Sequence, residues 1–446
     1  MSHVTKIVKR NGAVVDFSPQ RISNAIYRSA VSVGGRDKAT ADALAQQVVS
    51  LLEATTPAGH TPTVEDIQDL VEKVLIENGH AKVAKEYILY REERARKRRG
   101  EADQSARPSA NIPWAKIWHV LDWTVDQGVN TVSGLNERLA RGEFTEIVFE
   151  GERAYNEEIK NAVQAIADRR DQLRTVIITG PSSSGKTTTT IKVGDKLKQL
   201  GMSLVTLNID NYFFDLEMHP KDEFGDYDFE TPQALDLPLI NQHLIQLLEG
   251  QEISIPFYDF KTGQRHDAQT PLKLDPDDVI LIDSLHGLYP DMTEGIPDEQ
   301  KFKLYLEPLL QLKDPNGKYV RWTDIRLIRR MLRDATHRAY DPRRTLEHWH
   351  YVRSSELRHI IPYIDTTNYI INTGLPFELP IYAARMLDDF TAWVAEYRDD
   401  PLRSDAFSRA NRVHQLLEQI TPVSDDSAIP ADSVLREFIG GSCYEY

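Results

Sequence analysis

The sequence predicts an α/β protein in which a parallel sheet is flanked by helices and follows a small N-terminal α+β domain. Three observations support this prediction. From residue 175 onward, apolar runs of strand length alternate with helix-length stretches, as in a parallel sheet covered on both faces. A glycine-rich segment lies directly between one such run and a helical stretch. The first hundred residues differ from the rest in charge and pattern, which indicates a separate domain.

The composition is that of a globular protein with more than one domain. The chain has 446 residues, of which 41% are hydrophobic and 27% are charged. Its apolar runs are far shorter than the roughly 20 residues that span a bilayer, and its N-terminus resembles no secretory signal. The single cysteine, Cys443, excludes an intrachain disulfide framework. We therefore expect a cytoplasmic protein with no membrane partner.

The charge is distributed unevenly along the chain. The net charge is −15, yet residues 1–100 carry 16 Lys and Arg against 12 Asp and Glu. An acidic body argues against nucleic acid as a partner, because such binding needs an electropositive face. The basic N-terminal region could still bind a compact polyphosphate.

Residues 1–100 are predicted to form a hairpin followed by helices. An Asn-Gly pair at 11–12, between two short apolar runs, is typical of a tight hairpin turn. Helices are predicted to begin near Pro19, Thr63 and Ala81. The Ser- and Pro-containing stretch 100–113 is the best linker candidate.

The remaining chain divides into three predicted parts. We predict a helical connector at residues 101–172, the α/β domain at residues 173–379 and a helical C-terminal segment at residues 380–446. The strands of the α/β domain are predicted at Thr175–Thr179, Ser203–Leu207, Val279–Ile282, Lys301–Leu306 and Tyr369–Asn372.

The segment Gly180–Thr187 matches the phosphate-binding loop G-x-x-x-x-G-K-[ST] and lies between a predicted strand and a helix. Backbone N–H groups of such a loop converge on a phosphate, Lys186 reaches the β and γ phosphates, and the Thr187 hydroxyl can ligate Mg²⁺. We therefore predict a P-loop NTPase-type parallel sheet, in a protein that uses ATP and Mg²⁺. The predicted nucleotide-binding residues are Gly180, Ser182, Ser183, Ser184, Gly185, Lys186, Thr187 and Thr188.

Two carboxylates follow predicted strands of the same sheet. Asp210, after the next strand, could accept a proton from an acceptor hydroxyl or hold Mg²⁺; the alternative is a turn-forming Asp-Asn pair. Asp283 ends an apolar strand of Walker B form, whose carboxylate reaches the metal or its water shell. The predicted metal residues are therefore Thr187 and Asp283.

Several arginines are spaced along one predicted helix. Arg326, Arg329, Arg330 and Arg333 share a helix face, and Arg338 follows them. Such a face could neutralise charge that develops on a transferred phosphoryl group, as a kinase lid does. From spacing alone, a solvated basic face is an equal alternative.

Residues 174 to about 376 resemble the phosphoribulokinase/uridine kinase family, most closely its bacterial nucleoside-kinase-like branch. The strings that carry the resemblance are Gly180 to Thr187, Ile209 to Phe213, Tyr227 to Glu230, Tyr258 to Arg265, His286 to Leu288 and Arg326 to Asp334, with Leu435 to Ser442 of the C-terminal segment. The resemblance implies that Asp210 is the general base, that Lys186 and Thr187 bind ATP and Mg²⁺, and that Arg329, Arg333 and Arg338 are lid cations. The residues it places at the acceptor are Tyr212, Glu230, Tyr258 and Arg265.

Residues 4 to about 99 resemble the ATP-cone, a nucleotide-sensing module. The resemblance is carried by Val8 to Gly12, Phe17 with Arg21-Ile22, and Ala84 to Arg91. It implies an adenine nucleotide effector, and the predicted contact residues are Lys9, Arg10, Arg21, Tyr87 and Arg91. The alternative is a small basic domain used only for assembly.

These observations predict an ATP-dependent kinase that phosphorylates a hydroxyl of a uridine-like nucleoside or a related small metabolite. We expect a homo-oligomer regulated allosterically by nucleotide at the ATP-cone. The alternative left open is a nucleotide-gated regulatory or scaffold protein without small-molecule turnover. Two departures from the family pattern motivate it: Gly263 stands where uridine kinases have His, and Asp283 where the family usually has Glu.

Overall fold

The computed structural model describes residues 4–8, 14–31, 33, 37–57, 61–88, 111–219, 229–337, 341–400 and 403–445. These residues form two compact units, one from the residues up to 88 and the other from the residues after 110. Within these ranges, no helix combines the length and the apolar character that a membrane crossing requires.

The N-terminal unit is a short hairpin followed by helices. Its elements are β1 (Lys6–Val8), β2 (Val14–Asp16), α1 (Pro19–Val31), α2 (Lys38–Thr55) and α3 (Val64–Glu77), and residues 81–88 are also helical. β1 and β2 pair antiparallel, with Ile7 opposite Val15. Thr63 and Asp66 form a capping box that satisfies the first N–H groups of α3. The predicted Asn-Gly turn lies outside the described residues.

The second unit is built on a five-stranded parallel sheet. The further strands are β3 (Thr175–Thr179), β4 (Ser203–Asn208), β5 (Ile253–Asp259), β6 (Gln264–Leu272), β7 (Asp278–Ser284), β8 (Lys301–Glu307) and β9 (Tyr369–Asn372). The sheet order is β4-β7-β3-β8-β9, and each neighbouring pair is parallel. All five residues of the central strand β3 are buried, as expected of a sheet with helices on both faces. The prediction of an α/β fold is confirmed.

Helices that precede the sheet strands in sequence and helices that follow them pack into the same hydrophobic core. They are α4 (Trp114–Asp126), α5 (Val132–Ala140), α6 (Phe144–Ala167), α7 (Lys186–Gln199), α8 (Leu237–Leu248), α9 (Trp322–His337), α10 (Pro342–His359), α11 (Glu378–Tyr397), α12 (Ser404–Leu417) and α13 (Arg436–Ile439). Ile159 of α6, Phe390 of α11 and Val413 of α12 lie in one hydrophobic cluster with Ile178 of β3 and Leu306 of β8. Helices before and after the sheet in sequence are therefore part of one packed body.

The sheet brings the loops after β3, β4 and β7 to one edge. The register pairs Asn208 with Asp283 between β4 and β7, and Thr179 with Ser284 between β3 and β7. Since parallel strands end at the same edge, the segments that follow these residues lie together. β5 and β6 form an antiparallel hairpin, and the Tyr258 N–H donates to Asn211 Oδ1 over 3.4 Å. The hairpin thus contacts the segment after β4.

Candidate active site

The loop Gly180–Thr187 joins β3 to α7, and three of its backbone carbonyls accept hydrogen bonds from side chains that are distant in sequence. The carbonyl oxygens of residues 182–184 accept hydrogen bonds, in chain order, from Arg326 (3.1 Å), Arg329 (3.5 Å) and Thr373 (2.6 Å). We call these three residues the loop clamp. Because the N–H of a trans peptide points opposite to its C=O, the clamp turns the corresponding N–H groups away from these three residues.

The loop itself has the backbone and the donors that an anion needs. Ser183 and Gly185 have positive φ values of 60° and 90°, a conformation that concentrates N–H groups in a nest. A Cβ on Gly180 would lie 2.4 Å from the carbonyl oxygen of Leu306, so only glycine fits there. The hydroxyls of Ser183 and Ser184 are buried and have no hydrogen-bond partner. Unsatisfied buried donors in such a loop fit a phosphate group.

The two clamp arginines are buried ion pairs. Arg326 and Arg329 are both 0% exposed. Arg326 contacts Glu307 over 2.8 Å and Glu356 over 2.5 Å, and Arg329 contacts Glu378 over 2.6 Å. Desolvation opposes the charge of each guanidinium, but the carboxylates outweigh it, so that each arginine pKa lies above its ordinary value. Both side chains therefore stay charged beneath the loop.

Lys186 and Asp283 form the charged centre of the site. Lys186 Nζ donates to the carbonyls of Gly180 (3.0 Å) and Pro181 (3.4 Å), and burial lowers its pKa. Burial raises the pKa of Asp283 to about 6, while the positive charge of Lys186 opposes that shift. The Thr190 hydroxyl donates to Asp283 Oδ2 over 3.3 Å.

Asp210 lies beside this centre. It is exposed in the 3₁₀ turn Ile209–Tyr212, and its N–H donates to Asn208 Oδ1 over 3.0 Å. Its negative charge is one cause of the raised pKa of Asp283, so the two carboxylates interact electrostatically. The described residues contain no group of three or more His, Cys, Asp or Glu side chains arranged to hold a metal. A single carboxylate, Asp283, with the exposed Thr187 fits Mg²⁺, which is usually held by one or two carboxylates plus substrate phosphates.

The structure places Arg329 differently from the expected lid position. Its guanidinium lies beneath the loop, donates to the Thr373 carbonyl over 2.6 Å and is closed off from solvent by Glu378. The helical spacing identified the correct face of α9, but that face packs against the loop instead of facing solvent. Arg338 lies outside the described residues.

Two other arginines of α9, Arg330 and Arg333, are partly exposed. Arg330 contacts Glu230 over 2.6 Å and Ser182 Oγ over 3.2 Å. Arg333 is half-buried, and its positive charge is one cause of the lowered pKa of Lys186. Of the predicted lid cations, Arg333 is therefore the one that the described structure brings to Lys186.

The four predicted acceptor residues have three kinds of surroundings. Tyr212 is 0% exposed and its hydroxyl contacts His243 Nδ1 over 2.9 Å, so it belongs to the core. Glu230 is paired with Arg330, and Arg265 with Asp236 over 2.9 Å. The first ion pair lies beside the phosphate-binding loop, and the second joins Arg265 of β6 to Asp236, the residue before α8.

An aromatic cluster surrounds the fourth predicted acceptor residue, Tyr258. The ring centroid of Phe213 lies 5.5 Å from that of Tyr258, 5.4 Å from His219 and 6.0 Å from Phe260. The Tyr258 hydroxyl and His219 Nδ1 are buried without a hydrogen-bond partner. Sequence reasoning missed His219 and Phe213 as neighbours of Tyr258, because the strands and turns that carry them are distant in sequence.

Sequence reasoning also missed two residues that contact the loop and α7. Thr373, just after β9, donates to the Ser184 carbonyl. Glu437 of α13 accepts hydrogen bonds from Thr188, near the start of α7. No spacing rule connects positions this far apart; the only signal was that Glu437 falls within the family-like string at residues 435–442.

The predicted effector residues lie partly outside the described structure. Lys9, Arg10 and Arg91 are outside the described residues. Arg21 is exposed on α1, whereas Tyr87 is 6% exposed and packs in the core of the N-terminal unit.

Comparisons with known proteins match two separate parts of the chain. Residues 5–96 match the family model described as ATP cone domain, and residues 175–377 match that described as Phosphoribulokinase / Uridine kinase family. The second match contains the phosphate-binding loop, both site carboxylates and α9.

Curated relatives are similar to part of the chain. A uridine kinase of Deinococcus deserti is 31% identical over 198 residues, which is 44% of this chain and 86% of the relative. A uridine kinase of Bacillus pumilus is 32% identical over 161 residues, covering 36% and 67%. A uridine kinase of Halobacterium salinarum is 26% identical over 237 residues, covering 51% and 94%.

Proposed function

This chain belongs to the phosphoribulokinase/uridine kinase family and is an ATP-dependent small-molecule kinase, and we propose that it phosphorylates a hydroxyl of a nucleoside under control of its N-terminal ATP-cone. The observation that carries the proposal is the clamped loop with its unpartnered buried serine hydroxyls, next to Lys186 and the carboxylates Asp210 and Asp283. The curated relatives named uridine kinase support a nucleoside as the acceptor.

In the proposed reaction the acceptor oxygen attacks the γ-phosphorus of ATP. The new O–P bond forms, the bond from the γ-phosphorus to the bridging oxygen breaks, and ADP leaves with that oxygen. The proton of the acceptor hydroxyl passes to the carboxylate of Asp210, which is exposed and therefore accessible to a substrate. Thr187 and Asp283 would hold Mg²⁺, which when bound offsets negative charge on the phosphates.

The protein contributes mainly position and charge. The loop clamp fixes three carbonyls of the loop through contacts within the protein, which pre-organises the loop for a phosphate. Lys186 and Arg333 supply positive charge where the phosphoryl group carries negative charge.

A product screen tests the acceptor. The protein is incubated with MgATP and, in separate reactions, uridine, cytidine, other nucleosides and simple sugars, and phosphorylated products are identified by mass spectrometry. We expect a nucleoside monophosphate, and Lys186→Ala should abolish it. Phosphorylation of a sugar but of no nucleoside would overturn the proposed acceptor.

Regulation by the ATP-cone is supported by the matched domain at residues 5–96. Allostery requires that an effector at one site changes affinity or rate at another. We expect Arg21→Ala to change the response of activity to added adenine nucleotides, measured at a fixed concentration of the substrate MgATP. An unchanged response to every adenine nucleotide tested would exclude Arg21 from the effector site.

We also propose that the protein works as a homo-oligomer in the cytoplasm. Light scattering after size-exclusion chromatography, with and without MgATP, measures the oligomeric state, and a monomer under both conditions would contradict the proposal.

A further inference from the structure

The C-terminal helix α13 places a carboxylate against the first turn of α7. Glu437 Oε2 accepts hydrogen bonds from the Thr188 N–H over 3.1 Å and from the Thr188 hydroxyl over 2.9 Å. The first N–H groups of a helix have no partner within it, and after a phosphate-binding loop they are the groups that bind phosphate. One of these donors is therefore occupied by the chain's own carboxylate.

The segment that carries Glu437 is firmly packed. Val434 and Phe438 are both 0% exposed, and Glu437 is 4% exposed. A Cβ on Gly185 would lie 2.5 Å from Val434 Cγ2, so the segment lies directly against the loop. The Arg329 guanidinium lies 5.0 Å from the ring centroid of Phe438. These contacts hold the carboxylate in place.

The negative charge of Glu437 affects the pKa values of Lys186 and Asp283. Its negative charge is among the causes that raise the pKa of Asp283 and that oppose the lowering of the pKa of Lys186. A nucleoside triphosphate would bring further negative charge to the same end of α7. Two anions at one helix N-terminus repel each other, although each alone is stabilised there.

We propose that Glu437 is an affinity-setting residue of the nucleotide site: it takes the Thr188 donors that a phosphate would use and so weakens binding of the triphosphate. The inference rests on the proposed function only in that MgATP binds at this loop. It gives the C-terminal segment a role in the binding of ATP at the catalytic site.

The test is to measure binding of MgATP, inorganic tripolyphosphate and adenosine to the full chain by titration calorimetry. The Lys186→Ala variant, titrated in parallel, identifies the binding that belongs to the ATP-cone. We expect Glu437→Gln to bind MgATP and tripolyphosphate at the loop about fivefold more tightly or better, with adenosine binding unchanged. Unchanged or weaker binding of MgATP by this variant would reduce Glu437 to a helix cap and overturn the proposal.

Asp432→Asn is the matched control in the same segment. Asp432 contacts Lys192 over 2.8 Å, farther along α7 and away from the loop. We expect this variant to keep the wild-type affinity for MgATP, because the lost charge does not face the helix N-terminus. A gain in affinity equal to that of Glu437→Gln would mean that loosening the segment, and not the carboxylate on Thr188, changes binding.

Glu437→Asp provides the test if Glu437→Gln does not fold. It keeps the charge but withdraws the carboxylate by one CH₂ from Thr188. We expect this variant to bind MgATP more tightly than the wild type, and no gain in affinity would overturn the proposal. If MgATP binds but no nucleoside is phosphorylated, the proposed acceptor fails and this inference stands. If no MgATP binds at the loop, both fail.

Discussion

Asn208 and Asp283 are paired in register across β4 and β7, so that Asp210, two residues after Asn208, emerges at the same sheet edge as Asp283. The pairing explains why the negative charge of Asp210 contributes to the raised pKa of Asp283. A carboxylate whose pKa is raised by burial and an exposed carboxylate beside one phosphate-binding loop can perform different tasks, one at the metal and the other as a base.

The raised pKa of Asp283 predicts a pH-dependent stability difference. Its pKa is about 6 in the folded protein and 3.8 ordinarily, so the folded state binds more protons between these values and the contribution of this group to stability falls as pH rises through that window. Asp283→Asn should therefore be more stable than wild type above pH 6, by a few degrees in thermal midpoint. The difference should be smallest near pH 4. Thermal unfolding between pH 4 and 8 measures it, and a difference that shrinks with rising pH would contradict the assignment.

Asp210→Asn should remove the proton acceptor. We expect kcat to fall by about 10²- to 10⁴-fold, the range typical of a lost general base, while KM for MgATP stays near the wild-type value. The acid limb of the residual pH–rate profile should move to lower pH, because Asp210 helps raise the pKa of Asp283. Steady-state kinetics measures both effects. Asp171→Asn, at a side chain that is 94% exposed, is the control and should behave as wild type.

Glu378→Gln should strongly destabilise the protein. It leaves the Arg329 guanidinium buried without its carboxylate partner, which costs about 3–5 kcal/mol in comparable buried pairs. Urea unfolding measures the free energy change. The control Glu396→Gln removes a carboxylate that is 46% exposed and 3.7 Å from Arg343, and should cost less than about 1 kcal/mol. Equal losses in the two variants would mean that the buried pair contributes no more than a surface pair.

Gly263→Ala should distort the turn of the β5–β6 hairpin. Gly263 has φ +70°, and an added Cβ would lie 2.7 Å from Leu216 Cβ. Gly250 has nearly the same φ, +75°, but open space around it, so Gly250→Ala carries only the cost of the left-handed backbone, about 1–2 kcal/mol. We expect Gly263→Ala to lose about 1 kcal/mol more stability and to raise KM for the acceptor. If the two variants were equally stable, the close approach of the added Cβ to Leu216 would not cost stability, and the prediction would be wrong.

Local patterns in the sequence predicted the central elements of this fold. The five predicted strands of the parallel sheet match β3, β4, β7, β8 and β9, because long apolar runs bounded by polar residues are strong local signals. The loop Gly180–Thr187 follows β3 as predicted. Both carboxylates were placed at the ends of strands of one sheet, and the parallel pairing of β4 with β7 brings those strand ends to one edge.

Packing partners could not be predicted in the same way. Spacing placed Arg329 on the correct helix face, but Glu378, which buries it, is 49 residues later in the chain. Tyr212 lies within a family-like string, yet its hydroxyl contacts His243 in the core. Glu437 is 249 residues from Thr188. Such contacts depend on how distant elements pack, and a single sequence carries no local signal for them.

The loop clamp has a consequence for the order in which this protein can mature. Arg326 and Arg329 come from α9, and Thr373 from the end of β9, well over one hundred residues after the loop that they hold. The ribosome therefore synthesises the phosphate-binding loop long before it synthesises the three residues of the loop clamp. Contacts of such long sequence separation form late. Competence to bind nucleotide at the phosphate-binding loop should accordingly arise only once translation has passed Thr373, and fragments ending earlier should lack binding at this loop.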